Sequence, residues 1–256
     1  LDDDRRLSAY TLSVLKRAMD KGIRVVLASG RSGASMREYV AQVGSEAPYI
    51  ACNGGEIIAS DSHRVLDGIT FSVEQARDCV RFAKENGFYV HFYEGDHFYY
   101  DGDPDFCRMY EAAAGLLGIR VMDAQAGINI PVPKLLCIGE PDAILRLLAL
   151  GKKRFGGSVS LTISKPMFLE MTPPGADKGS ALKRLSAFMP IDPGTTLAFG
   201  DSMNDMTMLR WAKYGVAMEN ATPEVREGLS HICPPNTRDG VAKFIARNVL
   251  KEDVPA

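Results

Sequence analysis

Residues 195–218, TTLAFGDSMNDMTMLRWAKYGVAM, restrict the fold more than any other stretch. An apolar run ends at Gly200, a polar loop follows, and Met206, Met208 and Leu209 begin a helical pattern. YGVAM then reads as a second buried strand. Strand, helix and strand in this rhythm argue for a parallel sheet with helices on its faces. In such a sheet, ligands bind beyond the carboxyl ends of the strands, which is where the loop GDSMND falls.

The same rhythm opens the chain. Ser8 predicts an N-cap, and Leu12, Leu15, Ala18 and Met19 mark one face of a helix that ends at Gly22. IRVVLA predicts a strand, SGRSGAS leads into a helix through Val43, and PYIACNGG predicts a strand and turn. After about residue 70 the pattern changes. Ser72 to Asn86 is helical, and FYVHFYEGDHFYYD reads as an antiparallel hairpin around Glu94-Gly95-Asp96. A helix from Pro104 to Leu117, the strand KLLCIGE, a helix from Pro141 to Phe155 and two strands around Lys165-Pro166 follow. From Asp177 the first rhythm returns, with a helix marked by Ala181 to Met189 and, beyond YGVAM, a short helix at Pro223, the strand HICP and a closing helix from Val241 to Leu250. The expected fold class is α/β: a Rossmann-like parallel-sheet core formed by 1–70 and 171–256, interrupted by an α+β domain at 71–170.

Composition narrows the partners. The net charge is −2 and there is no tract of five basic residues, which speaks against nucleic acid and anionic membrane. The longest apolar runs fall far short of the ~20 residues of a membrane span, and the first residues are charged rather than an apolar leader. Five widely spaced cysteines fit neither a disulfide framework nor a zinc site and point to a reducing, cytoplasmic setting with buried thiols.

Three loops carry the chemistry. In GDSMND, Asp201 ends a strand and Asp205 lies one helical turn on, so both carboxylates can face one spot; oxygen-rich loops of this kind suit Mg²⁺ with waters and a substrate phosphate, and helix capping is the competing reading. In ASGRS, Ser29 and Gly30 precede a helix, a setting for an anion or for a cap, while Arg31 reads as structural. Neither a GK[ST] loop nor GxGxxG is present. In ADKGSAL, Lys178 starts a helix, where the dipole opposes a cation by ~0.3–1 kcal/mol. A unit-charge partner at 4 Å returns ~4 kcal/mol at an effective dielectric near 20, so a phosphate partner wins.

The order and placement of these loops resemble the haloacid dehalogenase superfamily of phosphohydrolases, and more closely its Cof-type branch with a IIB cap. The likeness covers nearly the whole chain and rests on VVLASGRS, ACNGG, TPPGADKGSALKRL and AFGDSMNDMTML followed by GVAMENA. It implies that Ser29 holds the transferring phosphoryl group and that Lys178 neutralises it. It further implies that Asp201 ligates Mg²⁺, while Asn204 and Asp205 contact phosphate and support the metal site. The family's first motif, DxDGT, supplies an aspartate nucleophile and a general acid, and this sequence does not contain it. LDDDRRLS resembles the segment just after that motif, so Asp2, Asp3 and Asp4 read as turn residues leading to Ser8. The expectation is that the natural protein carries the preceding central strand and that both catalytic aspartates lie upstream of Leu1.

The interrupting domain is then a cap over the site. Alternate aromatic residues of the 88–100 hairpin are expected to face the cap's own core, leaving one or two residues near 94–97 for substrate. His63 and His231 read as structural, and Trp211 as core or edge. The expected function is a Mg²⁺-dependent phosphatase of small phosphorylated metabolites, sugar phosphates or phosphorylated cofactors, working through an aspartyl-phosphate as a monomer or weak homodimer. The alternatives are a phosphomutase-type transferase, a non-catalytic phosphometabolite-binding protein and, last, a nucleotide-binding module.

Overall fold

The computed structural model describes residues 1–254. Helix α1 (Ala9–Asp20) starts where the Ser8 hydroxyl accepts the Thr11 N–H at 2.9 Å, and it buries Val14, Leu15 and Ala18. Residues 23–28 run extended but form no regular strand. Their only ladder contact is a parallel bridge at Ala28–Ile50, with Ile50 N–H donating to Leu27 O and Ser29 N–H to Ile50 O. The expected strand is thus reduced to an extended segment because only its last residues have a partner. Helix α2 (Gly33–Val43) is capped by Ser32 and closes on Gly44 in the left-handed region.

Strands β1 (Tyr49–Ala51), β2 (Glu56–Ile58) and β3 (Val65–Gly68) form an antiparallel meander. The parallel pairing expected between 23–28 and the strand at 49–51 survives as the Ala28–Ile50 bridge, and the antiparallel partners of β1 are additional. Sequence reasoning left 56–68 unassigned, although Ile57-Ile58 and Val65-Leu66 around a Ser-Asp-Ser turn carried the signal of a hairpin.

A six-stranded sheet follows. Its elements are α3 (Val73–Glu85), β4 (Tyr89–Glu94), β5 (His97–Tyr100), α4 (Pro104–Ala114), β6 (Gly118–Arg120), α5 (Ala124–Gly127), β7 (Leu135–Ile138), α6 (Pro141–Phe155), β8 (Ser160–Lys165) and β9 (Phe168–Thr172). The strand order is β6-β5-β4-β7-β9-β8, with β4 and β5 the expected hairpin. Helix α4 stops at Ala114, short of Leu117, because Gly115 turns left-handed.

Every residue of β4 before Glu94 is buried, so β4 does not alternate between one inner and one outer face, whereas β5 does, with Phe98 and Tyr100 buried and His97 exposed. The alternation is lost in β4 because both faces of the sheet are covered there. Val90 and Phe92 pack with α3 and α6, and Tyr89, Tyr93 and Phe98 pack with Cys107 and Tyr110 of α4. His91 is fully buried among these rings, with Nε2 2.9 Å from the Tyr93 hydroxyl and Nδ1 3.3 Å from that of Tyr89. Burial, with a contribution from Lys134, pushes its pKa well below the ordinary histidine value. The folded protein therefore holds His91 neutral, whereas the unfolded chain takes up a proton below about pH 6.5. Stability should fall as pH drops through that value, by up to about 1.4 kcal/mol per pH unit from this one group. Urea unfolding at a series of pH values should show this slope, and His91→Leu should flatten it.

The chain then completes the first unit with α7 (Lys178–Leu185), β10 (Leu197–Gly200), α8 (Met206–Trp211), β11 (Tyr214–Met218), α9 (Pro223–Glu227), β12 (His231–Cys233) and α10 (Gly240–Ile245), which runs on as a wider turn to Leu250. β10, β11 and β12 are parallel, as the opening stretch requires. β10 pairs on one edge only. An apolar cleft of about 1250 Å³ is lined by residues that include Leu1, Val26, Leu27, Leu197 and Phe199. All five cysteines are buried and free. Among the described residues no helix is long and apolar enough to cross a membrane.

Polar contacts clamp the two units together. Arg37 pairs in bidentate fashion with Asp96 at 2.6 Å, which commits the hairpin turn that was expected to offer contacts to substrate. The Ser35 hydroxyl donates to Ala114 O at 2.9 Å, at the carbonyl end of α4.

Candidate active site

Each candidate loop leaves a secondary-structure element of the first unit. Ser29 follows the extended 23–28 segment. It is not the cap of α2, a role that belongs to Ser32. The Ser29 hydroxyl instead accepts the Arg31 N–H at 3.1 Å, and the Ser29 carbonyl accepts the Asn53 N–H at 3.0 Å. The Arg31 guanidinium reaches Ala113 O and Ala114 O at 3.4 Å and lies over the Tyr39 ring, so it serves packing between the units.

The turn after β1 holds Cys52, Asn53 and Gly54 at three successive positive φ values of 51°, 58° and 99°. Asparagine tolerates this region, and Gly54 is also needed because a Cβ there would strike the Asp177 backbone. The turn is thereby pressed onto the start of α7. Asn53 is 5% exposed. Its Oδ1 accepts from Asn204 Nδ2 at 2.9 Å, and its Nδ2 donates to Glu170 at 2.7 Å. Burial drives the Cys52 thiol far above its ordinary pKa, which removes it as a nucleophile.

At the start of α7, Asp177 accepts from Ser180 N–H at 2.9 Å and from the Ser180 hydroxyl at 2.6 Å. Burial opposes its charge, but these hydrogen bonds hold its carboxyl below the usual range. Lys178, at the first helical position, is 5% exposed, and its Nζ meets Asp205 Oδ1 at 2.5 Å. Asp205 Oδ2 accepts the N–H groups of Asp201 at 3.0 Å and Ser202 at 3.1 Å. The Asp205 carboxylate is thus engaged on both oxygens. Gly200 makes this possible, because a Cβ at that position would overlap the Asp205 side chain. Asp201 is half-buried, with the Ser202 hydroxyl on Oδ1 at 3.2 Å, and no donor among the described residues is bonded to Oδ2. Asn204 gives Nδ2 to Asn53, and its buried Oδ1 has no partner.

Lys178, Asp201, Asn204 and Asp205 therefore form one contiguous group, and Asn53 joins Ser29 and Gly30 to it. A Cβ on Gly30 would stand 2.7 Å from Asn53 Oδ1, which shows how closely that loop approaches. Sequence reasoning missed Asn53 as a member, although ACNGG was among the motifs. It also missed Lys134 and Glu170 of the six-stranded unit, which no local pattern marks.

Two carboxylates against one ammonium repel a phosphate dianion, and a divalent cation beside Asp201 reverses that balance. No cluster of three His, Cys, Asp or Glu side chains able to hold a metal occurs among the described residues. The donor set, one free carboxylate oxygen in a loop, fits a Mg²⁺ ion that keeps several waters and takes ligands from the substrate.

The family model for haloacid dehalogenase-like hydrolases matches residues 1–245. A Yersinia enterocolitica protein named HMP-PP phosphatase is 27% identical over 235 residues, covering 90% of this chain and 83% of its own. A haloacid dehalogenase-like hydrolase from Bacteroides thetaiotaomicron superposes with a TM-score of 0.87 at 28% identity, covering 96% of this chain and 94% of its own. TM0651 from Thermotoga maritima gives 0.82 at 27%, covering 96% and 92%.

Proposed function

The chain belongs to the haloacid dehalogenase-like hydrolases, and from that premise we propose that it is a Mg²⁺-dependent phosphatase of small phosphorylated metabolites. The observation that carries the reading is the buried Lys178–Asp205 pair, set beside an Asp201 with an unengaged oxygen. Asp205 orients the ammonium, leaving two of its three N–H bonds for phosphoryl oxygens. Ser29, Gly30 and Asn204 cradle the same group. Asp201 would hold the cation directly, and Asp205 supports the site through the 201 and 202 amides. When bound, Mg²⁺ supplies charge neutralisation at the phosphoryl oxygens.

The proposed reaction runs through an aspartyl-phosphate, with an aspartate carboxylate as the nucleophile. The carboxylate oxygen bonds to phosphorus as the bond from phosphorus to the ester oxygen breaks, and that oxygen takes a proton from a general acid, which regains one from the water that attacks next. Water then cleaves the acyl phosphate and releases inorganic phosphate. The six-stranded unit acts as a cap that admits small esters and excludes water. The test is a turnover screen of the full-length protein on sugar phosphates, phosphorylated cofactors and HMP-PP, with Mg²⁺ and with EDTA. Phosphate release that EDTA abolishes is the expected result, and no release from any ester would overturn the assignment.

A further inference from the structure

Lys134 and Glu170 form an ion pair at 3.0 Å inside the protein, 2% and 6% exposed. Lys134 stands just before β7, and Glu170 is paired across to that strand from β9. Burial works against the Lys134 ammonium, yet Glu170 together with Tyr110 and Cys52 outweighs it, and the group is held above its ordinary pKa. Stability alone is a poor reason for such a pair, since apolar residues of similar volume often serve as well or better. What sets it apart is where its remaining bonds go. Lys134 Nζ donates to Gly30 O at 2.8 Å, and Glu170 Oε2 accepts from Asn53 Nδ2 at 2.7 Å. Both bonds leave the cap and end on loops of the active site.

The chemistry of these groups fixes two amide orientations in turn. An ionised carboxylate only accepts, so Asn53 must present its NH₂ to Glu170. Its oxygen therefore faces Asn204, which must present its own NH₂. That nitrogen carries two hydrogens, one for Asn53 and one left for a phosphoryl oxygen. The Asn204 oxygen is turned into the protein, where it is buried and unpartnered. Release Asn53 from Glu170 and both amides can rotate, turning an oxygen toward the anion. Lys134 acts likewise on the Gly30 carbonyl, drawing its negative end away from the loop that holds phosphate.

We propose that Lys134 and Glu170 are positioning residues for phosphoryl transfer, a cap-borne pair that aims the Asn53 and Asn204 amides and the Gly30 peptide at the transferring group. The inference rests on the phosphatase reading. Because both links cross between cap and core, the relay is complete only while the cap is seated.

The test compares the full-length protein with Asn53→Asp, Glu170→Gln and the double variant. Asn53→Asp sets two carboxylates against each other. The double variant rebuilds the relay with its first bond reversed: the glutamine amide introduced on β9 donates to the new carboxylate, which still accepts from Asn204. With p-nitrophenyl phosphate, Asn53→Asp should lose roughly 10–100-fold in kcat with KM little changed, the scale of a misplaced group in a site. The double variant should regain at least about tenfold over Asn53→Asp. An unchanged kcat in Asn53→Asp, a loss confined to KM, or a double variant no better than Asn53→Asp overturns the proposal. Hydrogen exchange over 50–54 and 201–205 should rise in Asn53→Asp and be restored in the double variant, and absence of that pattern also overturns it. If the parent releases no phosphate from any ester, the phosphatase reading falls and exchange alone decides the relay.

Discussion

Asp201→Ala should reduce Mg²⁺-dependent turnover of p-nitrophenyl phosphate by at least about a thousandfold, a loss of roughly 4 kcal/mol of transition-state stabilisation. The side chain is the one carboxylate of the group with an oxygen outside the internal hydrogen bonds, since both oxygens of Asp205 are engaged. On the proposed reading, its loss leaves no carboxylate oxygen of this group open to a cation, and the phosphate dianion would meet Asp205 uncompensated except by Lys178. Folding should be almost untouched. Among the described residues the Asp201 side chain has one hydrogen bond, from the Ser202 hydroxyl, and substitutions of this kind cost less than about 1 kcal/mol. Initial rates across a Mg²⁺ titration, beside thermal melts, check both halves. Undiminished turnover would remove Asp201 from the metal site.

Lys178→Met should be harmful in two separable ways. Its ammonium is buried against an equally buried carboxylate, and taking away one partner leaves Asp205 charged with only two backbone amides beside it. Breaking such a pair costs about 3–5 kcal/mol. Turnover should also fall, by roughly 10²–10³-fold, because a fixed donor to the phosphoryl oxygens is lost. Adding Asp205→Asn should separate the effects. The carboxamide oxygen of the introduced asparagine can still accept the 201 and 202 amides and no charge is stranded, so stability in urea should largely return. Turnover should not, because no cation has been restored. Recovery of both together would mean that Lys178 serves only the fold.

Much of this was legible in the linear sequence wherever the physics is local. Ser8 caps α1 because its hydroxyl reaches an amide three residues ahead, and α2 ends after Val43 because the left-handed turn at Gly44 needs no Cβ. The apolar periods located the elements, and GDSMND, ADKG and ASGR could be read as loops at strand or helix ends. The alternation expected for the aromatic hairpin holds in β5 and fails in β4, because a strand's period reports two faces but not whether both are covered. The segment at 23–28 failed as a strand because a strand exists only with its partner, and its own residues say nothing of how much partner it has.

The sequence by itself determined where most helices begin and which loops carry carboxylate, hydroxyl and ammonium. Capping, φ preference and side-chain period all act within a few residues. Only the tertiary structure decided that Asp205 spends itself on Lys178 and two amides, leaving Asp201 open, and that Asn53, Lys134 and Glu170 belong with the site. Those bonds join residues 104, 117 and 151 positions apart. Contacts at that separation are set by how packed layers meet, and they leave no period in the chain to be read.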